Sequence, residues 1–159
     1  MITECHKRSI RNNIDAEMKS TVNEIKRMFQ YPFHPETKYL KLEFEGHSGT
    51  FGFYPKIYND NGEELEENAH GELLESTEFS DLDFGYLTFN SLKYENDFDL
   101  IFELDQYSKE YLFEWFRALF MEHGGANFPI TTILHEHDAL KAYHLQKGIW
   151  IDQYDKDFI

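Results

Sequence analysis

The chain has 159 residues, with 15 Lys or Arg against 30 Asp or Glu, for a formal net charge of −15. That charge repels phosphate backbones and anionic lipid, which disfavours direct binding to nucleic acid or a membrane surface and favours a basic partner. A single cysteine, Cys5, excludes an internal disulfide framework, and no segment approaches the roughly 18 apolar residues of a membrane span, so the sequence reads as one cytoplasmic globular domain over residues 1–159.

The first predicted element is a helix from Ser9 to Gln30. Ile10, Ile14, Met18, Val22, Ile25 and Met28 or Phe29 recur at steps of four and three and make one apolar stripe, with Ser9 placed to cap the free N–H groups. Tyr31-Pro32-Phe33-His34-Pro35 stops it, because each proline disfavours the helical conformation in the residue before it. Two strands follow. Leu40, Leu42 and Phe44 alternate with Lys41, Glu43 and Glu45, and Phe51, Phe53 and Ile57 alternate with Gly52, Tyr54 and Lys56, with Gly46-His47-Ser48-Gly49 as the hairpin loop. Pro55 cannot donate to a ladder, which predicts an edge or a bulge there.

Asn59-Asp60-Asn61-Gly62 is turn chemistry. The stretch after it, from Glu63 to Glu75, carries Glu63, Glu64, Glu66, Glu67, Glu72 and Glu75 and must be solvated. Leu82, Phe84 and Tyr86, then Leu87 and Phe89 on the other parity, predict a bulged or doubly buried strand ending near Tyr94. The next stretch has the clearest alternation of all: Phe98, Leu100, Phe102 and Leu104 against Asp97, Asp99, Glu103 and Asp105. This predicts a strand with one core face and one ladder of carboxylates, paired with residues 84–94. Between Asp60 and Asp105, fifteen carboxylates face only Lys93, so this block holds −14 of the net charge.

Ser108 is placed to cap a second helix that buries Tyr111, Leu112, Trp115, Phe116, Leu119 and Phe120 and ends at Gly124-Gly125. Residues 130–134 then read as extended, His137 to Gln146 as a short helix stopped by Gly148, and Ile149-Trp150-Ile151 as a last strand. The sum is an α+β fold: an antiparallel sheet of four to six strands, with helices at 10–29 and 108–123 packed on one face.

Catalytic patterns are few. His135, His137 and His144 are the metal-ligand candidates, but His-Glu-His-Asp is neither the i, i+4 helical zinc pair nor a cysteine knuckle. Thirty carboxylates guarantee close pairs by chance, whereas acid–base catalysis sets one acid apart in a less polar pocket. Cys5 has no Cys-His-Asn context, and the glycine pairs lack the spacing and lysine of a phosphate loop. The sequence therefore reads as a binding protein, not an enzyme, with no cofactor and no resident metal. Its expected partner-binding face is the acidic surface of the six glutamates of 63–75 and the Asp97, Asp99, Glu103 and Asp105 ladder.

A small, acidic, single-domain chain without a catalytic motif resembles the immunity proteins of bacterial toxin systems, including contact-dependent growth inhibition and polymorphic toxins. The resemblance lies in composition and architecture. It implies an inhibitor that occupies the cleft of a basic toxin domain, often a nuclease, with carboxylates standing in for substrate phosphates and exposed aromatics such as Tyr54, Tyr58 or Tyr94 supplying anchors in the partner-binding face. Two other readings remain beside it: a DNA mimic of the anti-restriction type, with acids spread along an elongated surface, and a metal-dependent hydrolase built on His135 and His137.

Overall fold

Thr3 starts the fold by closing a capping box: its hydroxyl accepts the His6 N–H while the His6 ring accepts the Thr3 N–H. The computed structural model describes residues 1–155 and 157. Helix α1 runs Glu4–Asp15 and α2 runs Met18–Gln30, so the expected single helix from Ser9 begins earlier and is broken at Ala16-Glu17. The stripe gives no sign of the break. Ile14 and Ile25 are eleven residues apart, about three helical turns, and stay in phase across it. Met18, placed in the stripe by its spacing, is 46% exposed.

Strands β1 (Tyr39–His47) and β2 (Thr50–Tyr58) form the expected hairpin, with a tighter turn than the sequence implies. Ser48 and Gly49 alone make it, with φ of +51° and +92°, the pair of positive values that matches the twist of the flanking strands. On the other side of β2, β4 (Phe84–Leu87) pairs with residues 50–53 and β3 (Glu64–Leu65) with 57–58. Residues 54–56 have no partner strand on that side, which accommodates Pro55. Strand β5 (Thr131–Glu136) lies parallel to β1, and β6 (Lys141–His144) and β7 (Ile149–Asp152) extend the sheet antiparallel. Among the described residues the sheet has seven strands, in order β3-β2-β1-β5-β6-β7 with β4 also on β2. It is thus α+β as expected, but larger than four to six strands and mixed.

Three local expectations fail. Residues 98–105 are no strand: they are the first two turns of α3, Phe98–Glu122, a 25-residue helix that starts ten residues before Ser108. Strand β4 accordingly pairs with β2 and not with 97–105. Residues 137–146 form a turn and β6 in place of a helix, since Asp138 at φ +62° and the Ala139 N–H to Glu136 carbonyl bond reverse the chain. Ser108 caps nothing; it is fully buried in mid-helix.

One sheet face carries Leu40, Leu42, Phe44, Phe53 and Ile57 against Leu104, Leu112, Phe116 and Phe120 of α3, with Ile10, Ile14, Ile25 and Met28 completing the core. Ring contacts knit the layers, such as Phe53 to Phe116 at 5.0 Å and Phe44 to Phe113 at 5.1 Å. The opposite face presents Tyr39, Lys41, Glu43 and Glu45 beside a small cluster of Ile133, Ala142 and Ile151. No helix among the described residues is long and apolar enough to cross a membrane.

Candidate functional site

A depression of about 560 Å³ opens where β2 has no neighbour. Tyr54 and Pro55 form one wall, and the acidic segment folds back over it: Asn59 accepts the Asn61 and Glu63 N–H groups, and Asn68 accepts those of His70 and Glu72. These two Asx turns bring Leu65 and Leu74 beside buried Phe79 and Leu82, giving an apolar lining. Exposed Glu64, Glu66 and Glu75 border the same groove, and none makes an ion pair among the described residues. Among the described residues lining it Lys56 is the lone cation, with its ammonium 4.0 Å from Glu43. Glu63 and Glu72 serve the segment itself, accepting the Asn59 and Asn68 side-chain amides, while Glu67 is exposed and pairs with Leu73 through its backbone alone. Tyr54 is 54% exposed and available as an anchor.

The second acidic stretch is built differently. Asp97 accepts the Leu100 N–H at 2.9 Å and caps α3. Glu103 accepts the Ile2 N–H at 2.7 Å and ties down the N-terminus. Asp105 accepts the Gly49 N–H at 3.1 Å; burial raises its pKa above the ordinary value, against the pull of the Gly49 and Ser48 amides. Only Asp99 is exposed without a partner of this kind. The apolar residues divide by helical and not strand geometry: Leu100 and Leu104 are buried, whereas Phe98 and Phe102 are 80% and 72% exposed. Sequence reasoning placed both phenylalanines in the core. The signal that locates them is Asp97 as cap followed by the four-residue row Leu100, Leu104, Ser108, Leu112, which continues into an unmistakable helix.

Tyr58 and Tyr94 are not free anchors. Tyr58 stacks on Tyr39 at 4.9 Å under the Lys41 ammonium, and burial pushes its hydroxyl up to about 12. Tyr94 packs edge-on against His6 at 5.5 Å and near Phe89 at 6.2 Å.

The three histidines do not converge. His135 is buried with Nε2–H donating to the Ala139 carbonyl at 2.8 Å, and His144 is buried on β6 accepting the Lys147 N–H. His137 lies past the end of β5, its Nδ1 3.0 Å from Glu43. Among the described residues, the group whose ligand atoms lie within 4.8 Å of one another is Glu43, Glu45 and His137. Glu43 is already surrounded by cations, with Lys41 at 3.5 Å and Lys56 at 4.0 Å. Burial raises its pKa, but the His137 hydrogen bond and the two lysines outweigh that and hold it below the ordinary value, while the bond to Glu43 raises His137. The network is electrically closed, and a divalent ion entering it would meet two ammonium groups.

The chain matches no family model, no curated protein and no solved structure.

Proposed function

We propose that this protein is an acidic cytoplasmic binding protein that neutralises a basic partner, in the manner of an immunity protein occupying the active site of a cognate nuclease-type toxin. The groove beside β2 supports this reading most directly. It combines an apolar lining with three exposed carboxylates that make no ion pair among the described residues, in a chain of net charge −15. An arginine or lysine of the partner, flanked by apolar side chains, meets both requirements at once, and the surrounding field speeds encounter. Blocking by occupation needs neither cofactor nor catalytic group. A nucleic-acid mimic needs carboxylates free to stand where phosphates stand, yet Asp97, Glu103 and Asp105 are engaged by backbone amides of the chain itself. That favours one compact contact at the groove.

The test is capture from the source lysate at low and high salt, with the wild type and with Glu64→Lys, Glu66→Lys, Glu75→Lys combined. The expected result is one basic protein held by the wild type, released by salt and lost by the variant. Its purified activity should fall to zero at equimolar wild type. A partner retained equally by the variant, or one whose activity is untouched, overturns the reading.

A further inference from the structure

The exposed flank of α3 carries a second surface, some distance from the groove. Phe98, Phe102, Gln106, Lys109, Glu110 and Phe113 recur at three- and four-residue steps, so they form one stripe of about 22 Å. Two depressions run along it, of about 160 and 380 Å³. Both are lined by Gln106, Lys109 and Glu136, so they adjoin as one trough beside the helix, crossed by the Lys109–Glu136 ion pair that joins helix to sheet. Its ends are aromatic. Phe102 faces the Phe44–Phe51 stack at one, and Trp150, 58% exposed, lies over Phe113 at the other. At the small end the Phe51 ring lies directly against Gly46, where a Cβ would fall 1.9 Å from it.

Scattered exposed apolar residues need no explanation, but Phe102 at the rim of an aromatic trough, with exposed Phe98 one helical turn before it on the same stripe, makes an apolar patch of the kind that marks a contact surface. The polar groups beside it are one-sided. Asp99, Glu110 and Glu114 are exposed carboxylates, and the one cation among the described lining residues, Lys109, is held by Glu136 at 3.0 Å. We infer that this trough docks a cationic amphipathic helix of a partner protein, with apolar side chains seated between Phe102 and Trp150 and Lys or Arg facing Asp99, Glu110 and Glu114. A helix matches the length and pitch of a straight ridge with a groove beside it. A second copy of this chain brings the same negative charge to the contact and is repelled. A lipid surface would bury those carboxylates without partners. The inference goes beyond inhibition at the β2 groove and does not require it.

The probe is a fluorescein-labelled peptide of about 18 residues with leucines on one helical face and lysines elsewhere, set against an isomer of equal composition with the leucines scattered round the helix. Anisotropy titrations at about 0.15 M salt should show the facial peptide binding at least about tenfold more tightly than the isomer. Phe98→Ser with Phe102→Ser should erase that preference, and Phe98→Tyr with Phe102→Tyr should keep it. Glu64→Gln, Glu66→Gln, Glu75→Gln should leave it intact, which separates failure here from failure of the groove reading. Equal binding of the two peptides, no binding of either, or a preference that survives the serine variant overturns the inference. A wild-type dimer, or binding to phosphatidylcholine vesicles, abolished by the serine variant also overturns it, in favour of self-association or lipid.

Discussion

The two acidic stretches lie at opposite ends of β2, about 27 Å apart along the strand, and they use charge in opposite ways. Glu64 pairs with Tyr58 at one end; Asp105 holds the Ser48-Gly49 turn at the other. In 63–75 the turns are held by asparagines, so Glu64, Glu66 and Glu75 remain free at the groove. In 97–105 the carboxylates hold the structure and the phenylalanines are free. Equal acidity thus gives an electrostatic surface in one place and a helix cap, a terminal clamp and an apolar ridge in the other.

The sharpest break in that comparison is a pair of substitutions on α3. Leu104→Ala removes a side chain only 1% exposed and should cost about 2–5 kcal/mol in denaturant unfolding. Phe102→Ala should stay within about 0.5 kcal/mol. A strand with both residues inward would make the two losses comparable. Next in size, Asp97→Ala removes the cap of α3 and should cost about 1 kcal/mol, with Asp99→Ala near zero. Reversing Asp97, Asp99 and Glu103 to Lys therefore damages the fold itself and does not isolate a binding effect. Replacing Glu64, Glu66 and Glu75 by Gln should change stability by less than about 0.5 kcal/mol, since they are exposed and unpaired.

The smallest effect is in pH dependence. Asp105 has a raised folded pKa, so its charged form is disfavoured by folding, and its contribution falls as pH rises from its ordinary 3.8 through the raised value. Asp105→Asn should therefore melt progressively higher than the wild type across that window. Glu43 has a lowered pKa and contributes stability above its ordinary 4.5 that is lost as pH falls through the lowered value. Glu43→Gln should show the opposite trend in paired thermal melts.

Much of the fold was legible because local chemistry dictates it. The β1–β2 hairpin followed from alternation and turn residues, the Asn59–Gly62 turn from asparagine and glycine, and the end of α3 from Gly124. The candidate site was legible in part. The 63–75 run was visibly solvated, but Leu65, Leu74, Phe79 and Leu82 are distant in sequence from Tyr54, and only folding makes them one groove. Residues 97–105 misled for a definite reason. An alternation of four apolar residues contains two i, i+4 pairs, so period two and a pair of helical rows are the same pattern at that length.

An acidic α+β chain with one sheet, its charge concentrated between residues 60 and 105, is written in composition and hydrophobic period, which act locally. Which carboxylates are free and which phenylalanines are buried depends on long-range packing. Hydrogen bonds from Ile2 and Gly49 to Glu103 and Asp105 join residues 101 and 56 positions apart, and no local pattern encodes such a partner.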